Sequence, residues 1–509
     1  MAMGLIRLLS IAFTLVLLSI LPLHLSLADE ITSIESVPDL QKLMYVAVDG
    51  FPCVRLLNLS GEIGCSRFSP DKRFPQAQFS PYENVEYKWN SAASSIMWRN
   101  YNFPVYLLSE SGISAVHEIL SKKKMKHGTY TSDVAEFNMV MEEGTCLPLG
   151  GYSVWSSLPP ISVSSSNNRK PVVLTVASMD TASFFRDKSF GADSPISGLV
   201  ALLGAVDALS RVDGISNLKK QLVFLVLTGE TWGYLGSRRF LHELDLHSDA
   251  VAGLSNTSIE TVLEIGSVGK GLSGGINTFF AHKTRVSSVT NMTLDALKIA
   301  QDSLASKNIK ILSADTANPG IPPSSLMAFM RKNPQTSAVV LEDFDTNFVN
   351  KFYHSHLDDL SNINSSSVVA AASVVARTLY ILASDNKDTS NSALGSIHVN
   401  ASFVEELLTC LLACEPGLSC NLVKDYISPT NTCPGNYAGV ILGEPSSKPY
   451  LGYVGDVSRF LWNFLADKTS VQKGNTTSVC SKGVCSKTDE VCIKAESNKE
   501  GTCVVSTTR

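Results

Sequence analysis

Between residues 171 and 385 the sequence repeats one pattern: an apolar run of strand length, a polar loop, then a segment with helical spacing. Pro171–Ala177 and Leu222–Leu227 are largely continuous apolar and β-branched runs. Such runs suit strands buried on both faces of a parallel sheet, whereas a half-wet strand alternates. The pattern predicts further strands at Thr261–Ile265 and Ala338–Leu341. It predicts helices over Ser197–Leu209, Gly236–Leu244, Ser288–Leu304 and Ser365–Ala383. Strand–helix alternation of this kind predicts an α/β fold, a mostly parallel sheet flanked by helices on both faces.

At 509 residues the chain is too long for one ordinary domain. Residues 1–28 read as a secretory signal peptide: Arg7, an apolar core from Leu8 to Leu23, then Ser26-Leu27-Ala28 with small residues at the cleavage positions. Residues 29–165 read as a smaller, irregular N-terminal α/β lobe carrying Tyr82–Trp89 and a strand-like Pro104–Leu108. The polar run Ser162–Lys170 reads as a linker. Residues 166–385 form the repeating α/β unit, and 386–509 a cysteine-rich extension without clear period. No later segment is predicted to span a membrane. Val368–Ala383 is interrupted by Arg377 and too short, so a buried helix is expected there.

A net charge of −5 without a basic stripe excludes nucleic acid as an expected partner. Six glycosylation sequons, at Asn58, Asn256, Asn291, Asn364, Asn400 and Asn475, agree with a lumenal or extracellular address. Of 11 cysteines, Cys53 and Cys65 lie twelve apart near the start, Cys146 is isolated, and eight fall between Cys410 and Cys503. In an oxidising compartment these read as disulfides rather than as a zinc site, since no His lies near Cys480, Cys485 and Cys492. The odd total leaves one thiol over, and the pairing within 410–503 stays open.

The polar residues of interest fall in five loops at expected strand ends. These are Ser178-Met-Asp180, Gly191-Ala-Asp-Ser-Pro-Ile-Ser-Gly198, Gly229-Glu-Thr231, Glu264, and His354-Ser-His-Leu-Asp358. Open α/β sheets place their chemistry at such ends. Gly266-Ser-Val-Gly-Lys270 lacks the spacing of a phosphate loop and is expected to be a surface turn.

The order and spacing of these loops over about 171–385 resemble the two-zinc aminopeptidases, whose superfamily includes transferrin-receptor-like ectodomains. Carried over residue by residue, that resemblance puts the first metal-binding His at Ser178 and the bridging Asp at Ser194. It puts the general base at Glu230, the next ligand Glu at Thr231, a further Asp at Glu264, and the late His at His354. Three ligand positions thus carry neutral hydroxyls, which cannot replace an anionic bridge between dications. No metal and no cofactor is expected, and no catalytic residue. Glu230 keeps two readings, a contact for a ligand or a cap on the following helix. His354 and His356 are expected to be loop residues satisfied by Asp358 or Asp359. The resemblance also implies a cis peptide bond at Ser194-Pro195.

Gly-Glu-Thr-Trp-Gly-Tyr-Leu-Gly-Ser-Arg (229–238), with Ser-Met-Asp before it and Phe-Tyr-His-Ser-His-Leu-Asp after it, further resembles the nicastrin family. That family supplies the large glycosylated subunit of γ-secretase, an intramembrane protease. Gly233 departs from the family's acid at that position. The resemblance implies a non-catalytic substrate receptor or gatekeeper that admits short stubs of type I membrane proteins. It also implies a role in assembly, with presenilin and the other γ-secretase subunits as partners, on the lumenal or extracellular face of the secretory pathway and plasma membrane. Glu230, Thr231, Tyr234 and His354 are then the expected substrate-recognition residues. Family members end in a transmembrane helix that this sequence lacks, so a truncated product is expected. The alternative is a secreted zinc aminopeptidase-like or glutaminyl-cyclase-like enzyme with altered ligands.

Overall fold

In the computed structural model the described residues are 151–509, apart from 162–169, 184–188, 255–256, 285, 315–320, 385–390, 439–454, 472–478, 481–484, 486, 488 and 498–499. A short antiparallel strand pair, Gly50–Phe51 with Leu107–Leu108, is described as well and belongs to a separate compact unit. The signal segment 1–28, Cys53, Cys65, Cys146, Asn58, Asn256 and Asn475 lie outside the described residues.

The sheet of the larger unit has eight strands: β1 (Val154–Leu158), β2 (Val172–Ser178), β3 (Gln221–Leu227), β4 (Ile259–Ile265), β5 (Leu272–Ser273), β6 (Ile276–Lys283), β7 (Ile309–Ser313) and β8 (Ala338–Glu342). Their order is β1-β3-β2-β4-β8-β6-β5, with β7 pairing β6. The central four, β3-β2-β4-β8, are parallel; β1 joins β3 and β6 joins β8 antiparallel. The expected parallel sheet is therefore its centre, flanked on both sides by antiparallel neighbours. Strand β1 lies within 29–165, the range assigned to the smaller lobe, but extends the large sheet.

The α-helices of seven residues or more among the described residues are α1 (Gly198–Ser210), α2 (Leu235–Leu246), α3 (Ser288–Ser303), α4 (Leu326–Lys332), α5 (Ser365–Ser384), α6 (Ala401–Leu412) and α7 (Asp456–Lys468). Side chains alternate across the strands. Leu222, Phe224 and Val226 face a core shared with α1, α3 and α5, whereas Val223, Leu225 and Leu227 face a second core with α2 and α4. All six are buried, so β3 reads as a continuous apolar run. Helices Ala192–Ser210 and Ser365–Ser384 are apolar and long enough to cross a membrane, yet they are core helices, buried over most of their length. Arg377 within α5 is accommodated because its guanidinium donates to the Ser303 carbonyl and hydroxyl, both at 2.8 Å.

The 386–509 region is no appendage. Val404, Leu407 and Leu411 of α6 and Phe460, Leu461 and Phe464 of α7 belong to the same buried cluster as α1 and α5. Its eight cysteines form four disulfides, Cys410–Cys420, Cys414–Cys433, Cys480–Cys492 and Cys485–Cys503. A three-stranded antiparallel sheet follows, β9 (Val479–Cys480), β10 (Glu490–Ile493) and β11 (Gly501–Val505). Residues beyond β11 return to the large sheet: Trp155 and Arg509 exchange backbone hydrogen bonds at 3.1 and 3.0 Å. Ser156 shares hydroxyl bonds with Thr469 and Thr508 at 2.6 and 2.7 Å, and Ser157 pairs with Thr507.

Candidate functional site, a buried carboxylate array at the strand ends

The carboxyl ends of β2, β3, β4 and β8 carry Asp180, Glu230, Glu264, and Glu342 with Asp343, all nearly inaccessible. The turn from β3 into α2 explains how Glu230 is placed. Gly229 has φ 81°, a conformation open to glycine at no cost, and turns the chain sharply at the strand end. A Cβ at Gly236 would overlap the Thr228 carbonyl oxygen, so only glycine lets the first turn of α2 approach the strand this closely.

Asp180 is the hub of the first group. Its Oδ1 accepts from the Glu230 N–H at 2.9 Å and the Ser178 hydroxyl at 3.3 Å. Its Oδ2 accepts from the Thr231 N–H at 3.1 Å and the Thr231 hydroxyl at 2.7 Å. A carboxylate offers about four acceptor positions, and four donors occupy them. Burial raises the Asp180 carboxyl above its ordinary range, against the lowering effect of these bonds. The hydroxyls at Ser178 and Thr231 are thus turned onto an acid as donors.

Glu230 is 7% exposed. Its Oε1 accepts the Ser237 N–H at 2.7 Å, satisfying one of the open donors in the first turn of α2. Burial pushes its carboxyl up to about 8, with the Asp180 charge adding to the effect. Of the two readings left open for Glu230, the geometry displays the helix cap. Glu264 does the same for α4: its two oxygens accept the N–H groups of Ser325 and Leu326 at 2.9 and 3.0 Å, and burial lifts it to about 7.

The remaining expected positions lie apart. Ser194 precedes a cis proline, and its N–H donates to Asp358 Oδ2 at 3.3 Å. Asp358 also accepts the Asp193 N–H at 3.1 Å and the Asn362 amide at 2.7 Å. Asp358 thus clamps the 191–194 loop. His354 is exposed, has φ 55°, and stacks on Tyr353 with ring centroids 3.8 Å apart. Tyr234, expected to meet substrate, is buried at 7% exposure. Among the described residues, three metal-ligating side chains come within 4.8 Å of one another only at Cys480, Cys485 and Cys503, whose sulfurs are in disulfides. The carboxylate oxygens of Asp180 and Glu264 are directed at protein N–H and O–H donors. Asn291, Asn364 and Asn400 are exposed.

Three contributors were not foreseen. Segment 266–270, expected as a surface turn, is mostly buried, and the N–H groups of Ser267, Gly269 and Lys270 donate to acidic side chains of the site. Glu342-Asp343, consecutive acids closing a predicted strand, were a visible signal that went unused. Asn436 and Tyr437 cross the strand ends: the Thr181 N–H donates to the Asn436 carbonyl at 2.7 Å, and Tyr437 meets Trp232 edge-on at 6.2 Å. Nothing in the local sequence of 386–509 marked that return.

Family comparisons agree with this geometry. The family model described as "Nicastrin large lobe" matches residues 171–380, and that of the "Nicastrin small lobe" matches 66–142. A nicastrin of Arabidopsis thaliana is 86% identical over 589 aligned positions, covering 100% of this chain and 87% of the relative. The human nicastrin is 29% identical over 59% of this chain and 47% of its own length. A solved structure titled as the gamma-secretase component nicastrin superposes with a TM-score of 0.59 at 23% identity, over 86% of this chain and 76% of that one. With the large-lobe family model over residues 171–380 and a relative 86% identical across the whole chain, the chain belongs to the nicastrin family.

Proposed function

We propose that this chain acts as a non-catalytic ectodomain subunit of a γ-secretase-type intramembrane protease, as substrate receptor or gatekeeper and in complex assembly. One observation carries the non-catalytic part: the Asp180 carboxylate, beside the former base Glu230, is filled by four protein donors. Freeing it for a dication would strip those donors in a buried place, where each unmade bond costs about 1–3 kcal/mol. Glu230, pushed up to about 8 by burial, accepts the Ser237 N–H and caps α2, a role in the fold. Family membership supports the receptor reading; the partners proposed with it are presenilin and the other subunits, and the proposed substrates are stubs of type I membrane proteins. Exposed Asn291, Asn364 and Asn400 suit glycosylation on a lumenal face.

The test has two arms. Metal analysis of the chelator-free purified chain, with an aminopeptide hydrolysis assay, is expected to give substoichiometric zinc and no turnover. Stoichiometric zinc with turnover abolished by Glu230→Gln would establish the aminopeptidase-like alternative instead. Co-purification of the tagged chain with presenilin is expected, and its failure would sink the assembly role.

A further inference from the structure

Strands β9, β11 and β10 lie side by side in that order. Cys480 on β9 is register-paired with Gly501 on β11, and Cys492 on β10 with Cys503, two residues further along β11. Paired residues share a face and side chains alternate with a period of two, so all four positions look out on the same side. The Cys480–Cys492 bridge crosses the central strand at Gly501, where a Cβ would lie 2.6 Å from the Cys492 sulfur and 2.9 Å from that of Cys480. Glycine at 501 is what leaves room for it. Cys485 comes in from the connection between β9 and β10 and bonds Cys503, so a second disulfide lies against the first. The sulfurs of Cys480, Cys485 and Cys503 are all within 4.8 Å of one another. Cys480 and Cys492 are buried, whereas Cys485 and Cys503 are half-buried.

We propose that these four cysteines form a thiol–disulfide exchange site, at which a small-molecule thiol converts the pairing to Cys480–Cys485 with Cys492–Cys503. The thiolate attacks the Cys503 sulfur of the more accessible bridge, forming a mixed disulfide on Cys503 and releasing Cys485 as thiolate. Cys485 then attacks the Cys480 sulfur, at most 4.8 Å away, forming Cys480–Cys485 and expelling the Cys492 thiolate. Cys492 attacks the mixed disulfide on Cys503, its partner across the ladder, forming Cys492–Cys503 and returning the small thiolate. Two protein disulfides stand before and after, so nothing is oxidised or reduced overall and the thiol is a catalyst. Directly opposed residues on antiparallel strands have Cα atoms about 4.5–5.5 Å apart, within the roughly 4.4–6.8 Å that a disulfide bridges. The new pairing therefore requires no shift of β10 against β11. Its consequence falls on β9, which loses its tie to β10 and keeps two register pairs with β11. Strands β10 and β11 become stapled to each other, and β11 still leads the chain into Arg509 beside Trp155. The exchange loosens β9 without unsealing the large sheet.

Incubation of the purified full-length chain with reduced glutathione, followed by acid quenching and tryptic mapping without reduction, tests this. Lys482, Lys487, Lys494 and Lys499 put each of the four cysteines on its own peptide, so every pairing has its own mass. Before glutathione is added, Cys480 should be linked to Cys492 and Cys485 to Cys503. Afterwards, Cys480–Cys485 and Cys492–Cys503 links are expected in equal amounts at the expense of the original two, with no net gain of free thiol. Cys410–Cys420 and Cys414–Cys433 should stay intact under the same treatment. In Cys492→Ser the freed Cys480 thiol is expected to displace Cys503 from Cys485 with no glutathione present, leaving the free thiol on Cys503. A wild-type map that glutathione leaves unchanged overturns the proposal without any variant. So does reduction to free thiols, a glutathione adduct beside the intact Cys480–Cys492 link, or the pairing Cys480–Cys503 with Cys485–Cys492. A folded Cys492→Ser chain that keeps its free thiol on Cys480 overturns it as well.

Discussion

Replacing Glu230 with Gln is expected to make the protein more resistant to unfolding as pH rises. The carboxyl sits at 7% exposure and is pushed up to about 8 by burial. The folded state therefore holds a proton that the unfolded chain releases above its ordinary value of 4.5. Its contribution is full below that value and is lost as pH climbs through about 8, at ~1.4 kcal/mol per pH unit and at most ~5 kcal/mol in total. The glutamine side chain would keep the carbonyl that accepts the Ser237 N–H and has no charge to desolvate. The stability difference between variant and wild type should thus grow in the variant's favour across that window. Glu230→Ala should behave oppositely in acid, since it orphans the Ser237 donor at about 1–3 kcal/mol. Urea unfolding of the full chain, followed by far-ultraviolet circular dichroism at a series of pH values, reads both. A Gln variant that tracks wild type at every pH, or loses as much as Ala, would refute the reasoning.

Asp180→Ala removes the acceptor for two backbone N–H groups and two hydroxyls. It should cost about 3 kcal/mol or more, seen as a lowered urea midpoint, while Asp180→Asn should recover part of it. Gly198→Ala would place a methyl against the backbone carbonyls of Ile265 and Gly266, neither of which is a flexible side-chain end. It should lower expression and Tm sharply, whereas Ala at exposed Gly395, where nothing lies within 4 Å, should do neither.

What the sequence disclosed follows from how local each signal is. Strands β2, β3, β4 and β8 are buried on both faces and announce themselves as apolar runs. Strand β6 alternates buried and accessible residues, and β7 has a single buried residue, so neither rose above the surrounding polar sequence. The substitutions at Ser178 and Thr231 were legible one by one. That the Thr231 hydroxyl joins that of Ser178 on Asp180 was not, because it reaches Asp180 from 51 residues away and depends on parallel pairing of β2 with β3. The 266–271 segment has the glycine content of an exposed turn, and only the carboxylates arriving from 193, 342 and 343 reveal it as interior. Tyr234, an expected recognition residue, has a φ of 60° in a turn that folds the ring into the core, which the sequence does not mark.

The hydroxyl ladder on β1 has a consequence for biosynthesis. Ser156 bonds partners 313 and 352 residues later in the chain, and Ser157 one that is 350 residues later. At about 5–20 residues per second, ribosomes need roughly 20–70 s to make that intervening stretch. Throughout that interval the outer edge of β1 offers unpaired N–H and C=O groups to any neighbouring chain. Until residues 507–509 arrive, this edge is open to strand addition. A ribosome stalled before residue 507 would release a product whose sheet is assembled but unsealed, and therefore prone to self-association.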